Sequence, residues 1–134
     1  MVEEQKLREF FVDDVFARSI GVKIDEITES GVTCSLAVTP GHLNAGGAVQ
    51  GGVIFTLADF AFAVAANSSG MLTVSLHNDI TFMHPAKGKT LYAKTRLVSS
   101  TRQMAFYEVQ VTDELGTQVA AVSVAGYRKG PLPV

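Results

Sequence analysis

Asp59 is the residue whose type and position point most directly to chemistry. It is the only charged side chain between Gly52 and Ala66, a segment that is otherwise almost wholly apolar. Desolvating a carboxylate in such surroundings costs on the order of several kcal/mol unless a partner compensates it. Ionisable groups held at such positions are often catalytic. The alternative is a structural carboxylate that is hydrogen-bonded to a neighbouring backbone or hydroxyl group.

The residues that open this apolar segment carry a second signal. Gln50, Gly51 and Gly52 begin it without a Ser, Thr, Asp or Asn at the usual capping position. Two glycines let a ligand approach the backbone closely, and the first-turn N–H groups have no obvious partner. Such a helix end stabilises negative charge, including the oxyanion that forms when a carbonyl is attacked. The alternative is a tight junction capped by water or by Asn44.

The spacing of these two features predicts a site shared between chains. Asp59 follows Gly51 by eight residues, which is ~12 Å along a helix axis. A general base must lie within about 3 Å of the group that it deprotonates, or act through one water. Asp59 is therefore too far from a carbonyl held at its own helix start. It would be close to one held by the same helix of a twofold-related subunit.

Length and composition bound the class of protein. The 134 residues suit one domain, 1–134, and the 47% hydrophobic and 18% charged content is typical of a globular protein. Net charge is −2 and the basic residues are scattered, so we expect no nucleic-acid partner. The start of the chain lacks the apolar core of a signal peptide, and the longest apolar run is too short for a membrane span. With the single Cys34, these features predict a cytoplasmic protein without membrane partners.

Hydrophobic periodicity predicts two helices and six strands. Leu7, Phe11 and Val15 predict an N-terminal helix over about 3–18, and the apolar segment is a long second helix that ends at Asn67–Gly70. Alternation and turn residues predict strands at about 21–27, 32–38, 72–83, 90–98, 104–112 and 118–128, followed by a flexible tail at about 130–134.

An apolar helix needs cover on nearly all sides. Short connections imply antiparallel strands, so the simplest cover is a strongly curved antiparallel sheet, and a second subunit must close the rest. The predicted fold is therefore α+β, with one long apolar helix wrapped by the sheet and preceded by an N-terminal helix. On the helix, a bulky stripe suits packing under the sheet (Val53, Leu57, Phe60 and Val64), and a small or polar stripe suits a close approach (Gly52, Thr56, Asp59, Ala63 and Ala66).

Residues 42–59, HLNAGGAVQGGVIFTLAD, resemble the signature of hotdog-fold acyl-CoA thioesterases of the PaaI-like group. That pattern runs roughly N-x-x-G-x-x-H-G-G and continues into a helix with L-x-D. The positions that fall on it are Asn44, Gly47, Gly51, Gly52, Leu57 and Asp59. Residues 80–86, ITFMHPA, are similar to the family's strand that leads into a Pro-containing turn. The strand count agrees from about 20 to 128, so the resemblance covers nearly the whole domain.

The resemblance implies hydrolysis of an acyl-CoA to the free acid and CoA, without metal or organic cofactor, in a homodimer or homotetramer. The Gly51 N–H would polarise the thioester carbonyl, and Asp59 of the partner chain would activate water or attack directly. Asn44 would orient water or the leaving sulfur. The implied substrate-binding residues are Gly52, Phe60, Ser75, Phe82 and His84, with Ser75 in the position of a hydroxyl that holds the water.

One departure from the pattern concerns proton transfer. Family members commonly carry His where this chain has Gln50. Glutamine still forms hydrogen bonds, but it neither takes nor gives a proton near neutral pH. Proton transfer would therefore depend on Asp59, with Gln50 as a supporting group.

Two other functions stay open at this stage. A dehydratase or hydratase of the same fold would need a His base beside a carboxylate, and the apolar helix contains no His. A non-catalytic acyl-CoA-binding module is the other alternative, which the presence of Asp59 and both glycines disfavours. His42, His77 and His84 lack the spacing of metal ligands and are expected at the surface or at strand ends. Cys34 lies in an alternating strand and is expected in the core.

Overall fold

The chain forms three α-helices and six β-strands, and the computed structural model describes residues 1–134. The helices are α1 Glu4–Phe11, α2 Val15–Ser19 and α3 Gly51–Asn67, and a 3₁₀ turn spans Pro40–His42. The strands are β1 Lys23–Thr28, β2 Gly31–Ala37, β3 Met71–Phe82, β4 Thr90–Ser100, β5 Met104–Asp113 and β6 Gln118–Pro131.

All six strands belong to one antiparallel sheet that curves around α3. The strand order is β1-β2-β4-β5-β6-β3, so β3 is an edge strand, and α3 contacts every strand from β2 to β6. Leu57 and Val64 of α3 are fully buried beneath the sheet. The predicted α+β fold, with an apolar helix wrapped by a curved antiparallel sheet, is confirmed. None of the helices has the length and apolar character needed to cross a lipid bilayer.

The N-terminal helix predicted over 3–18 is divided into α1 and α2. Asp14 lies between them with φ −77° and ψ 80°, outside the helical region, and its carboxylate accepts a hydrogen bond from the Ala17 N–H at 3.2 Å. An aspartate that caps a helix in this way favours a new start over continuation. The short helix that results turns Ala17 into the core, where it is 1% exposed.

The C-terminal segment predicted as a flexible tail is packed as far as Leu132. Strand β6 continues to Pro131, the Leu132 N–H donates to the Gly70 carbonyl at 2.8 Å, and the Leu132 side chain is buried. The start of the predicted tail was therefore placed too early. Leu132 is a single apolar residue after Pro131, so hydrophobic periodicity did not predict its burial. Its side chain is nevertheless buried beside the end of α3.

The two stripes predicted on α3 are confirmed with two exceptions. Leu57, Phe60 and Val64 are buried, whereas Gly52 is exposed and Thr56, Asp59 and Ala63 are partly exposed. The exceptions are Val53, which is only partly buried, and Ala66, which is 2% exposed because the last turn of α3 is enclosed. The partly exposed stripe begins at the helix start and passes through Asp59, so the two candidate catalytic features lie on the accessible side of the helix.

A buried carboxylate joins two turns at the end of the sheet. Asp113 Oδ2 accepts from the N–H groups of Lys87 and Gly88 at 2.9 and 2.8 Å, and Oδ1 accepts from those of Leu115 and Thr117 at 3.0 and 2.9 Å. Burial raises the pKa of Asp113, but these backbone donors outweigh it and hold the pKa well below the usual range. The ionised carboxylate thereby fixes the loop after β3 to the β5–β6 turn.

Replacing Asp113 by Asn should destabilise the fold. The Asn side chain has one acceptor and one NH₂ group, so two backbone N–H groups would face a donor and stay unpaired. We expect Tm at pH 7 to fall by roughly 5 °C or more. Since the folded-state pKa is depressed, the ionised group stabilises the fold above the unfolded pKa of about 3.9, and this is lost as pH falls further.

The measurement is thermal unfolding followed by circular dichroism between pH 2 and 7. The difference in Tm between the wild type and Asp113→Asn should shrink as pH falls below about 4. Asp25→Asn, at an exposed position of β1, is the matched control and should unfold like the wild type. An unchanged Tm for Asp113→Asn at pH 7 would show that the carboxylate does not hold the two turns.

Candidate active site

A closed loop leads into the start of α3 and carries Asn44. The loop is held at its base by a β-bridge between Leu43 and Val49, and the Gln50 N–H donates to the His42 carbonyl at 2.9 Å. Asn44 Oδ1 accepts from the backbone N–H groups of Gly46 and Ala48 at 2.9 and 3.1 Å. These bonds fix the orientation of the side-chain amide, and its NH₂ group stays available to a ligand.

The first turn of α3 is capped by Gln50, not by Asn44. The Gln50 Oε1 accepts a short hydrogen bond from the Gly52 N–H. The prediction that the first-turn amides lack a partner is therefore wrong for Gly52. It is correct for Gly51, whose N–H has no acceptor in the protein. The amide best placed to receive an oxyanion is thus also the one that the fold leaves unpaired.

A groove of about 360 Å³ opens at this helix start. Four of the predicted site residues line it: Asn44, Gly51, Phe82 and His84. The approach at Gly51 is close, since a Cβ there would lie 3.1 Å from Cζ of the Phe82 ring. His84 Nδ1 donates to the Gln118 carbonyl at 2.9 Å, which leaves Nε2 without a protein partner. We refer to this cavity as the helix-start groove.

Asp59 lies halfway along α3, in a separate cleft of about 270 Å³ between α2 and α3. Its carboxylate is half-buried, and the Ser75 hydroxyl of β3 donates to Oδ1 at 3.4 Å. Burial raises the pKa of Asp59; the Ser75 hydrogen bond lowers it, and the Asp14 carboxylate raises it further. A carboxylate with these partners is suited to accept a proton. We refer to this cavity as the Asp59 cleft.

Within one chain, the predicted site residues form two groups. Asp59, Ser75 and Phe60 belong together at the Asp59 cleft, whereas Gly51 opens into the helix-start groove. Gln50 and Gly52 lie on the α2 side of the helix start, in a third hollow of about 330 Å³ that adjoins the Asp59 cleft. The carboxylate and the unpaired amide of one chain therefore do not face a common cavity.

The contribution of α2 to the Asp59 cleft was not predicted from the sequence. Phe16 and Asp14 line the Asp59 cleft together with Phe55 of α3. The signal that would have found them is the aspartate cap, because a helix that restarts at Val15 turns its next residues over α3. A prediction of one continuous helix over 3–18 does not place Asp14 and Phe16 over α3.

His42 and Cys34 have structural roles, and the structure shows no cluster of metal-ligating side chains. His42 is buried, contrary to the surface position expected, because its Nδ1 accepts from the Thr39 N–H at 3.0 Å and its Nε2 donates to the Ile20 carbonyl at 2.8 Å. Cys34 is in the core as predicted, and burial raises its pKa to about 12. No three His, Cys, Asp or Glu side chains lie together in a way that could hold a metal ion.

Comparisons with known proteins agree with this architecture. The chain is 29% identical over 127 residues to the acyl-coenzyme A thioesterase PaaI of Escherichia coli, covering 94% of this chain and 91% of the relative. It is 30% identical over 118 residues to human acyl-coenzyme A thioesterase 13, covering 82% and 84% of the two chains. The solved structure of E. coli PaaI superposes with a TM-score of 0.89 over 95% of this chain and 93% of that one, at 28% identity.

A further solved structure is that of a Streptococcus mutans protein bound to acetyl CoA. It superposes with a TM-score of 0.78 at 27% identity, covering 83% of this chain and 90% of that one. The model of the family described as the thioesterase superfamily matches residues 46–120, a range that includes the helix start, Asp59 and Ser75. With its curved sheet around one apolar helix, the chain therefore belongs to the thioesterase superfamily, in its PaaI-like hotdog branch.

Proposed function

We propose that this protein is an acyl-CoA thioesterase that hydrolyses a CoA thioester to the free acid and CoA. The observation that carries the proposal is the pairing, on one helix, of an unpartnered Gly51 N–H and a half-buried Asp59 whose pKa is raised. Relatives over most of the chain are named acyl-coenzyme A thioesterases. The protein is proposed to act in the cytoplasm. It is also proposed to form a homodimer or homotetramer, because the proposed site takes groups from two copies of the chain.

The proposed reaction uses groups from two subunits. Asp59 of one copy takes a proton from water, whose oxygen attacks the thioester carbonyl carbon. The carbonyl oxygen becomes an oxyanion that accepts a hydrogen bond from the Gly51 N–H of the other copy. The C–S bond then breaks, the proton passes from Asp59 to the leaving sulfur, and the products are the acid and CoA. Direct attack by the Asp59 carboxylate, through an anhydride, is the alternative course of the same step.

The edge strand β3 supports a shared site. Ser75, in the first half of β3, contacts Asp59, and Phe82, the last residue of β3, lies against Gly51. One edge of β3 pairs with β6 and the other is open. If two open edges paired antiparallel about a twofold axis near Asn78, Ser75 of one copy would lie opposite Phe82 of the other. The carboxylate of each chain would then approach the helix start of its partner.

The helix-start groove is proposed to receive the CoA arm. Two exposed lysines, Lys87 and Lys89, lie two and four residues after Pro85, which lines the groove. Ammonium groups at the mouth of a groove attract the phosphates of CoA. Their backbone N–H groups bond to Asp113 and Glu114, so the segment that carries them is fixed in place.

The test is release of free thiol from a panel of acyl-CoAs by the purified protein. Hydrolysis of at least one thioester, with equal amounts of acid and CoA formed, is the expected result. Tight binding without turnover would identify a binding module instead. Addition of water to an enoyl-CoA without loss of the thioester would identify a hydratase, which is disfavoured because no His lines the Asp59 cleft.

Replacing Gln50 by Ala should have a smaller effect than loss of Asp59. The Gln50 side chain caps the Gly52 N–H and so steadies the helix start, and a supporting hydrogen bond of this kind contributes ~1 kcal/mol. We expect kcat to fall roughly fivefold in steady-state thioesterase assays. Gln50→Ser, which restores a capping hydroxyl, should recover part of the loss. A loss as large as that of Asp59→Asn would instead assign Gln50 a direct part in the chemistry.

A further inference from the structure

His84 is the one side chain of the helix-start groove whose type can both carry and release a proton near neutral pH. The other polar side chain there is that of Asn44, and an amide serves as a donor and acceptor without transferring a proton. The remaining lining residues are apolar or glycine. Gln50 opens into the hollow on the α2 side of the helix start. The groove therefore holds a single candidate for proton transfer, and the reaction as described leaves it unused.

The fold fixes the imidazole of His84 just beyond the end of β3. Because a carbonyl only accepts hydrogen bonds, the contact between Nδ1 and the Gln118 carbonyl at 2.9 Å places a proton on Nδ1. The Met83 N–H donates to the Val119 carbonyl at 2.8 Å, and Pro85 restricts the backbone on the other side of His84. Nε2 has no partner in the protein and carries a proton whenever the ring is charged. One nitrogen thus holds the ring, and the other is available to a ligand.

We propose that His84 is the general acid that protonates the leaving sulfur of the thioester. The inference rests on the proposed function, since it takes the Gly51 N–H as the oxyanion donor and Asp59 of the other copy as the base. The carbonyl oxygen then faces Gly51, water enters from the side of Asp59, and the sulfur continues into the CoA arm. Since the CoA arm is placed in the helix-start groove, the sulfur is the reacting atom on the side of His84, which belongs to the same chain as Gly51.

The step breaks one bond and transfers one proton. In the tetrahedral intermediate, an electron pair of the oxyanion re-forms the C=O bond while the C–S bond breaks, and the electron pair left on sulfur takes the proton from Nε2 of His84. The imidazole becomes neutral, with its Nδ1 proton still bonded to the Gln118 carbonyl. Asp59 of the other copy returns the proton of the attacking water to solvent, and His84 takes one up before the next turnover. In this refinement of the proposed reaction, Asp59 no longer has to reach the sulfur.

Two amide variants separate proton transfer from hydrogen bonding. His84→Asn places an NH₂ group near the position of Nδ1 and keeps the bond to the Gln118 carbonyl, whereas His84→Gln places one near Nε2 and keeps a donor for the sulfur. Neither amide transfers a proton. With the acyl-CoA that the wild type hydrolyses best, we expect both variants to lower kcat roughly tenfold or more. KM should stay within about threefold, because the acid acts only in the transition state.

A change of leaving group distinguishes an acid from a residue that only positions the substrate. Butanoyl thioesters of N-acetylcysteamine and of 4-nitrothiophenol carry the same acyl group. The first releases a weakly acidic thiol, as CoA does, and the second releases a stable thiolate that needs no proton. After subtraction of uncatalysed hydrolysis, kcat/KM of His84→Gln should fall roughly tenfold or more for the first and stay within about twofold of the wild type for the second. Equal losses for both thioesters would overturn the inference.

The matched control is His77→Gln, at an exposed position of β3 outside the groove, which should keep the wild-type kcat with every substrate. If the wild type hydrolyses acyl-CoAs and His84→Gln keeps the wild-type kcat, a hydrogen bond at that position is sufficient. The inference is then overturned and the proposed function stands. If the wild type itself hydrolyses no thioester, the proposed function fails and the inference fails with it, so the two failures are told apart by the activity of the wild type.

Discussion

Replacing Asp59 by Asn should lower kcat at least ~100-fold and leave folding and self-association intact. Asparagine has nearly the same shape and can still accept the Ser75 hydrogen bond, but it cannot take a proton from water. The position is half-exposed, so removing the charge does not leave a buried group unpaired. The measurement is free-thiol release with the best acyl-CoA of the panel, together with size-exclusion chromatography. Turnover close to that of the wild type would remove Asp59 from the mechanism.

The pH dependence of kcat/KM provides an independent check on the same residue. A general base works only when ionised, so activity falls as pH drops through its pKa. Burial raises the pKa of Asp59, and we therefore expect the acidic limb at a higher pH than the value of about 3.9 of an ordinary Asp. Ser75→Ala removes the hydrogen bond that lowers this pKa and should move the limb to still higher pH. A limb that Ser75→Ala leaves in place would point to another base.

Replacing Gly51 by Pro should lower kcat roughly 100-fold by removing a single N–H group. Proline is favoured at the first position of a helix, where it deprives the helix of no internal hydrogen bond. The preceding residue, Gln50, already has the extended conformation that a following proline requires, with φ −64° and ψ 137°. The Gly51 N–H has no acceptor in the protein. Its removal therefore takes a hydrogen bond from the proposed oxyanion and none from the fold.

Gly51→Ala is the control for bulk. Its methyl group would lie 3.1 Å from Cζ of the half-exposed Phe82, but the N–H is kept. We expect Gly51→Ala to retain at least ten times the activity of Gly51→Pro. This ratio is smaller than the roughly 100-fold effect of losing one oxyanion donor, because the added methyl group also lowers activity. Equal losses in the two variants would show that crowding at Phe82, and not the missing amide, is responsible.

Mixing the two inactive variants tests whether the site is shared. In a mixed dimer of Asp59→Asn and Gly51→Pro, one of the two sites combines the intact Asp59 of one chain with the intact Gly51 of the other. Half of the dimers are mixed after unfolding and refolding together, so activity should return to about a quarter of the wild-type value. If each site lay within one chain, the mixture would stay as inactive as its components.

The linear sequence indicated much of the candidate site, because residue types and their local spacing can be read from it directly. A lone carboxylate in an apolar run, a Gly-Gly helix start and the loop with Asn44 were all visible before folding. Gln50 was visible too, but its role as the cap of Gly52 was not, because a side chain that bonds two residues ahead depends on its rotamer. Likewise His42 was expected at the surface, since the Ile20 carbonyl that buries it is far away in the chain.

The sequence by itself predicted most of the elements, the antiparallel pairing of the strands, most of the two stripes of α3 and the candidate residues Asp59 and Gly51, since periodicity and composition are local properties. Only the tertiary structure decided that α2 lies over α3, that Ser75 reaches Asp59, and that Asp59 and Gly51 of one chain open into different cavities. The physical reason is that cavities and long-range hydrogen bonds arise where separate elements meet. Their geometry depends on how the whole sheet curves, which no short stretch of sequence encodes.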